Sequence, residues 1–125
     1  LCVLLARRAD RLQALAAEID GEWETCDVSD REQVDEVAAR ILGRHPSIAL
    51  LVNNAGVPAR GSFLDIEPER LERAIDVNYL GGVWCLRAFR PGLEAAAHAG
   101  GAHVVNIVSV AGTVAGTTSR CAAGT

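Results

Sequence analysis

An amide-rich turn, Asn53-Asn54-Ala55-Gly56, directly follows the apolar run 48–52. If that run is a buried strand, the turn lies at the carboxyl edge of a sheet, where α/β folds bind ligands. The two amides could tie neighbouring strand ends together, and the Ala-Gly pair would let a ligand approach the backbone closely. An ordinary Asn/Gly turn explains the same four residues equally well.

Candidate binding groups also follow the alternating segment 22–26. The carboxylate of Asp27 could accept a hydrogen bond from a purine amino group, while the backbone amide of Val28 donates to a ring nitrogen. Capping of the next helix by Asp27 or Ser29 is the alternative, and the local sequence favours it when taken alone.

Arg7 and Arg8 end the apolar run 1–6. In dinucleotide-binding folds an acidic residue near this place bonds the ribose hydroxyls, whereas Arg suits a 2′-phosphate. No acid occurs before Asp10, which is better placed to start a helix. A solvated basic pair without a ligand is an equal alternative.

Asn78 and Ser109 are the remaining polar candidates. Asn78 lies on the apolar stripe of a predicted helix, so its amide is expected to point inward, and an unpartnered buried amide costs roughly 1–3 kcal/mol. It would therefore stabilise a helix distortion, anchor an ordered water near a site, or both. Ser109 follows the predicted strand 102–108 and would bring a hydroxyl to the same edge as Asn54, although a lone Ser there is more often a turn residue.

Histidine and cysteine give weaker signals. The three histidines lack ligand spacing, no Ser/His/Asp arrangement is evident, and the cysteines are far apart, so we predict no metal site. Free thiols favour a reducing, cytoplasmic location. The cysteines are Cys2, Cys26, Cys85 and Cys121.

Strand and helix patterns alternate around these residues. Strands buried on both faces are predicted at 1–6 and 48–52, with further strands at 22–26 and 102–108. The first helix should end at Gly21. The second should run from the capping box 29–32 to Gly43. The third should begin at Pro68, kink at Pro91 and end at Gly100–Gly101. The core stripe expected on the third helix is Leu71, Ile75, Asn78, Gly82, Leu86 and Phe89. This order predicts an α/β fold with a parallel sheet and helices on both faces.

Composition narrows the class of protein. A chain of 125 residues that is 50% hydrophobic allows one domain with a buried core. A net charge of −4 without an Arg-rich run argues against a nucleic-acid module, and no apolar stretch approaches the ~20 residues of a membrane span. The chain contains neither Lys nor Met, and the missing Met is expected for a fragment or a processed chain.

Three motifs occur in a characteristic order: NNAG at 53–56, DVNYLG at 76–81 and NIVSVAG at 106–112. Together they resemble the short-chain dehydrogenase/reductase family, from that fold's second strand to just past its fifth. The resemblance implies a partial NAD(P)-binding Rossmann-type domain over residues 1–125, lacking the first strand and the C-terminal part. It also implies hydride transfer between NAD(P)(H) and a small-molecule alcohol or carbonyl substrate, and it allows a homo-oligomer.

The resemblance assigns residues to roles. Asn78 matches the family's proton-relay Asn, and Ser109 matches the Ser that orients the substrate oxygen. Arg7 matches the place where NADP-preferring members hold the 2′-phosphate, so NADP is expected, with NAD as the alternative. The positions that match cofactor contacts are Arg7, Asp27, Val28, Asn54, Ala55 and Gly56.

Departures from the family pattern matter as much. The Gly-rich phosphate-binding turn does not occur in this sequence, and Cys121 and Thr125 stand where Tyr and Lys of Tyr-x-x-x-Lys are expected. We therefore expect no turnover from these residues alone. A non-catalytic Rossmann-like binding or interaction protein that has lost the Tyr/Lys pair is the alternative, and a reductase that uses Cys121 as its acid is a third hypothesis.

The resemblance also raises a question about the sheet. In the strand order 3-2-1-4-5, the family's first strand separates its second from its fourth. Without that strand, the runs 1–6 and 48–52 would either pair directly or each expose an apolar edge prone to aggregation.

Overall fold

Strands and helices alternate along the part of the chain that the structure, a computed structural model, describes: residues 1–59 and 64–109. The order predicted from hydrophobic periodicity is confirmed. The elements are β1 (Val3–Ala6), α1 (Ala9–Ile19), β2 (Glu22–Thr25), α2 (Arg31–Arg44), β3 (Leu50–Asn53), α3 (Pro68–Ile75), a π-helical turn (Asp76–Leu80), α4 (Gly81–Ala99) and β4 (His103–Asn106).

The four strands form two separate parallel pairs. In the first pair Val3 of β1 lies opposite Glu22 of β2, and in the second Leu50 of β3 lies opposite His103 of β4. No ladder joins β1 to β3 among the described residues, and a cleft of about 1250 Å³ lies between them. The sequence left open whether the runs 1–6 and 48–52 pair directly or each expose an edge. Among the described residues they do not pair, so β1 and β3 each have an open edge.

The strands predicted to be buried on both faces are not. Leu50 and Val52 of β3 are 54% and 49% exposed. In β4, for which no burial was predicted, every residue is exposed. Among the described elements, β3 packs on α4, so only one of its faces is covered. β1 is half-buried over Val3 to Leu5.

The core lies where α2 and α4 pack against each other and against the strands. Gly92 permits the close approach, since a Cβ there would come within 2.6 Å of Leu42 Cδ2 and 2.7 Å of Ile48 Cγ1. The backbone amide of Ile48 also donates to the carbonyl of Gly92 at 2.9 Å. The buried residues of this cluster are Cys26, Val34, Val37, Ala38, Ile41, Cys85 and Phe89.

The long helix differs from its predicted geometry. A π-helical turn that was not predicted separates α3 from α4. Helix α4 includes Pro91 and ends, as predicted, before Gly100 and Gly101, both of which have positive φ. Of the predicted core stripe only Phe89 is buried: Leu71 and Gly82 are half-buried, and Ile75, Asn78 and Leu86 are exposed. The prediction assumed a constant period of 3.6 residues, which the π-helical turn interrupts. The buried residues from the π turn onward are Val77, Gly81, Cys85, Phe89, Gly92, Leu93 and Ala96.

Two helix ends also differ from prediction. After α1 the left-handed conformation is taken by Asp20 and not by Gly21. Gly21 instead lies against the backbone of Cys2, because a Cβ at Gly21 would be 2.9 Å from the Cys2 carbonyl oxygen. At α2 the N-cap is Asp30, which accepts from the Gln33 amide at 3.1 Å, so the predicted box is displaced by one residue. α2 also includes Gly43 and ends at Arg44.

Candidate functional site

The predicted cofactor contacts meet in one place. All six line the cleft between the two sheets, and so does Asn78. β1 and β2 are parallel, so Arg7 and Asp27 follow strands that end on the same side of the first sheet, and the turn at 54–56 follows β3 of the second sheet; both sets of residues line the same cleft. Ser109, exposed and three residues beyond β4, is not among the described residues that line the cleft.

Asp27 is the most extensively bonded polar group at this edge. Its Oδ1 accepts from the Ser29 amide at 3.1 Å and from Ser29 Oγ at 2.7 Å. Its Oδ2 accepts from Arg73 Nη2 at 3.2 Å and lies 3.9 Å from Arg7 Nη1. The Asp27 amide donates to Gln33 Oε1. The Ser29 side chain therefore bonds to Asp27, and Asp30 caps helix α2 instead.

The charge state of Asp27 follows from these contacts. Burial by itself raises the pKa of the carboxyl, but hydrogen bonds from Ser29 and Arg73 and the charge of Arg73 outweigh it, so the pKa lies below its usual range. Asp27 is therefore ionised near neutral pH and acts only as a hydrogen-bond acceptor.

Val28 is fixed by helix α4. A Cβ on Gly81 would come within 2.6 Å of Val28 Cγ2, so only glycine lets the helix pack this closely on the turn. This contact holds the Val28 backbone at the cleft wall. Sequence reasoning missed the role of Gly81, although its place in the 76–81 motif was a usable signal.

The two amides of the NNAG turn have different roles. Asn53 Nδ2 donates to Asn106 Oδ1 at 2.9 Å and to the Gly82 carbonyl at 3.5 Å, so it ties β3 to β4 and to α4. The predicted link between strand ends is thus confirmed for Asn53. Asn54 is exposed and lines the cleft.

Asn78 lies within the π-helical turn, so the predicted association with a helix distortion is confirmed. Its Oδ1 accepts from the Val57 amide at 2.8 Å and its Nδ2 donates to the Val57 carbonyl at 2.9 Å. The prediction that Asn78 is buried is wrong: the residue is exposed, because the turn directs it to the segment after β3 and not into the core.

The buried thiols are packing groups. Burial, followed by the proximity of Cys85, raises the pKa of Cys26 to about 11, and burial raises the pKa of Cys85 as well. Cys2, Cys26 and Cys85 are free. Cys121 and Thr125, together with the end of the 106–112 motif, lie outside the described residues.

Within residues 1–59 and 64–109, no group of three His, Cys, Asp or Glu side chains could hold a metal ion. No helix of that part is both long and apolar enough to cross a membrane.

Residues 1–122 match a family model described as short chain dehydrogenase. The chain belongs to the short-chain dehydrogenase family. Members of this family are NAD(P)-dependent oxidoreductases, and the family resemblance of the three sequence motifs is thereby confirmed.

Three relatives show how much of this chain, and how much of each relative, is similar. Mouse epidermal retinol dehydrogenase 2 is 37% identical over 90 residues, which are 72% of this chain and 28% of that protein. A short-chain dehydrogenase structure from Streptomyces avermitilis is 32% identical with a TM-score of 0.80, over 90% of this chain and 41% of the other. A metagenomic short-chain oxidoreductase in complex with NADP is 36% identical with a TM-score of 0.77, over 90% and 52%. The Rossmann-type fold is therefore confirmed, and the chain spans about half or less of these relatives.

Proposed function

We propose that residues 1–125 are a partial Rossmann-type domain that forms the adenosine end of an NADP site, in an oxidoreductase acting on an alcohol or carbonyl substrate. The supporting observation is the convergence of Arg7, Asp27, Val28 and the turn at 54–56 on one cleft. These groups come from three strand ends that are distant in sequence, and their chemistry matches one ligand.

The adenine would lie against the turn after β2. Asp27 supplies an ionised acceptor for the amino group, and the Val28 backbone is held in place by Gly81. Ala55 and Gly56 also line the cleft and carry little or no side chain, so a flat ring can approach the backbone there.

Arg7 would bind the 2′-phosphate. Its side chain is 56% exposed, and its guanidinium stands 3.9 Å from Asp27, an ion pair rather than a short hydrogen bond. Guanidinium groups suit phosphate because their donors form a planar fork. The metagenomic relative's complex with NADP supports this choice of cofactor over NAD.

Asn78 and Ser109 would assist the reaction. Bound NADP(H) supplies or accepts the hydride. Asn78 uses one hydrogen of Nδ2 and one lone pair of Oδ1 on Val57, which leaves one of each to hold an ordered water. Ser109 follows β4 at the same sheet edge and would donate to the substrate oxygen.

These residues alone should not turn over substrate. The only tyrosine, Tyr79, belongs to the Asn78 motif, and no lysine is present to lower a phenol's pKa. The proton donor of the reaction is therefore not among the residues assigned here. The family match gives no support to the alternative of a non-catalytic interaction protein. The free thiols of Cys2, Cys26 and Cys85 support a cytoplasmic location.

Calorimetric titration of the chain with 5′-AMP and 2′,5′-ADP tests the proposal. We expect binding of both, with 2′,5′-ADP tighter, and Asp27→Asn should weaken both by about tenfold, as for loss of a hydrogen bond to a charged group. Asp35→Asn is the matched control, because Asp35 is an exposed carboxylate of α2 paired with Arg31. No binding by the unmodified chain, or equal affinities for the two variants, would contradict the proposal.

A further inference from the structure

Three side chains from separate elements meet at one carboxylate. Asp27 follows β2, Arg7 follows β1, and Arg73 comes from α3, 46 residues away from Asp27 in sequence. Arg73 Nη2 donates to Asp27 Oδ2 at 3.2 Å, whereas Arg7 Nη1 lies 3.9 Å from the same oxygen. The cluster holds two positive charges and one negative charge.

The two arginines are not equivalent. Ser29 uses two acceptor positions of Oδ1, and Arg73 uses one of Oδ2, so the carboxylate is largely satisfied without Arg7. Arg7 stands beyond hydrogen-bond distance and is the more exposed of the two, with its side chain 56% accessible against 45% for Arg73. Without Arg73, Arg7 would be the remaining described cation beside Oδ2.

We infer that Arg73 is a positioning residue that keeps Arg7 available for a phosphate. Arg73 offsets the negative charge of Asp27. The carboxylate therefore does not draw the Arg7 guanidinium into a hydrogen bond, and it repels an incoming phosphate less. The ligand group concerned is a phosphate monoester on the ribose of an adenosine nucleotide. This inference rests on the proposed function, because it assumes that an adenosine ligand occupies the cleft.

The position of Arg73 is set by the fold. α3 starts at Pro68, and the π-helical turn that follows it is tied to the Val57 backbone through Asn78. Arg73 thus reaches Asp27 from a helix whose end is fixed at the cleft. Arg70, on the same helix, makes no described ion pair and provides a matched control.

The experiment measures the affinities of 2′,5′-ADP and 5′-AMP for the chain and for R73Q, R73K and R70Q. We expect R73Q to lower the affinity for 2′,5′-ADP by about three- to fivefold, the size of an exposed charge interaction, with little change for 5′-AMP. R73K should restore most of the loss, and R70Q should match the unmodified chain. An R73Q effect that is absent, or equal for both ligands, overturns the inference.

The same substitution in an Asp27→Asn background tests how Arg73 acts. If it works through Asp27, R73Q has little further effect on 2′,5′-ADP there; an undiminished effect means that Arg73 contacts the phosphate itself and overturns the positioning role. Titration of the Asp27 carboxyl by NMR supplies a readout without ligand, since its pKa should rise in R73Q and fall again in R73K.

The outcomes separate the two proposals. If the unmodified chain binds neither nucleotide, the proposed adenosine site is wrong and the inference falls with it. If it binds both, and R73Q retains the ratio of the two affinities, only the role of Arg73 is wrong.

Discussion

The side-chain amide of Asn78 pairs with both main-chain groups of Val57, accepting from its N–H at 2.8 Å and donating to its carbonyl at 2.9 Å. This pair joins the π-helical turn to the segment that follows β3. It therefore couples the helix distortion to the turn at 54–56, which forms one wall of the cleft.

Replacing Asn78 should destabilise the fold. Asn78→Ala removes both hydrogen bonds to Val57, so the free energy of unfolding should fall by about 1–2 kcal/mol. Urea denaturation measures the change. Asn54→Ala is the control, because Asn54 is exposed and makes no described side-chain hydrogen bond. Equal stability of the two variants would show that the Val57 pairing contributes nothing.

Gly92 should not tolerate a side chain. In Gly92→Ala the new methyl would meet Leu42 and Ile48 at 2.6–2.7 Å, and overpacking of this kind costs about 1–3 kcal/mol. Thermal or urea unfolding gives the value. Gly43→Ala is matched, since Gly43 is also helical but has nothing within 4 Å of its added Cβ. It should be neutral or stabilising by up to about 1 kcal/mol; a similar loss in both variants would contradict the packing argument.

Stability should depend on the ionisation of Asp27. Because its pKa in the fold lies below the unfolded value of about 3.9, the stabilisation is complete above that value and is lost as pH falls through the folded pKa. Urea unfolding at a series of acidic pH values should show this decline. Asp27→Asn should make it shallower, whereas Asp65→Asn, at an exposed turn residue without a described ion pair, should not. An unchanged pH dependence in Asp27→Asn would refute the assignment.

The open strand edges should cause self-association. Within residues 1–59 and 64–109, β1 and β3 each pair with a single strand, and Leu50 and Val52 are about half exposed, so we expect oligomers or aggregates whose size grows with concentration. Light scattering after size exclusion measures this. Val52→Lys should reduce association, while Glu18→Lys on the exposed part of α1 serves as a charge control. A monomer that unfolds cooperatively at every concentration tested would count against the prediction.

Local sequence determined the order of the elements. Apolar runs and 3.6-residue spacing depend on neighbouring residues, so the alternation of strands and helices and the end of α4 at Gly100 were both predictable. The motifs around Asn54, Asn78 and Ser109 identified the family for the same reason, since each motif is contiguous.

The buried face of α4 was not predictable by the same means. A constant helical period placed Asn78 and Leu86 in the core, but Val77, Gly81 and Cys85 are buried instead, and Asn78 lies in a π-helical turn at 76–80 that a constant period does not include. The displaced cap at Asp30 has a related cause: Ser29 is engaged by Asp27, a competing contact that the capping pattern alone does not reveal.

By itself, the sequence determined the family, the succession of strands and helices, and which residues gather at the strand ends, because these depend on short-range pattern and on the parallel order that it imposes. Only the tertiary structure decided that Arg73 reaches Asp27, that Asn78 holds Val57, and that β1 and β3 stay apart. Those relationships join residues distant in the chain, and their free energies depend on distance and exposure in three dimensions, which no local spacing encodes.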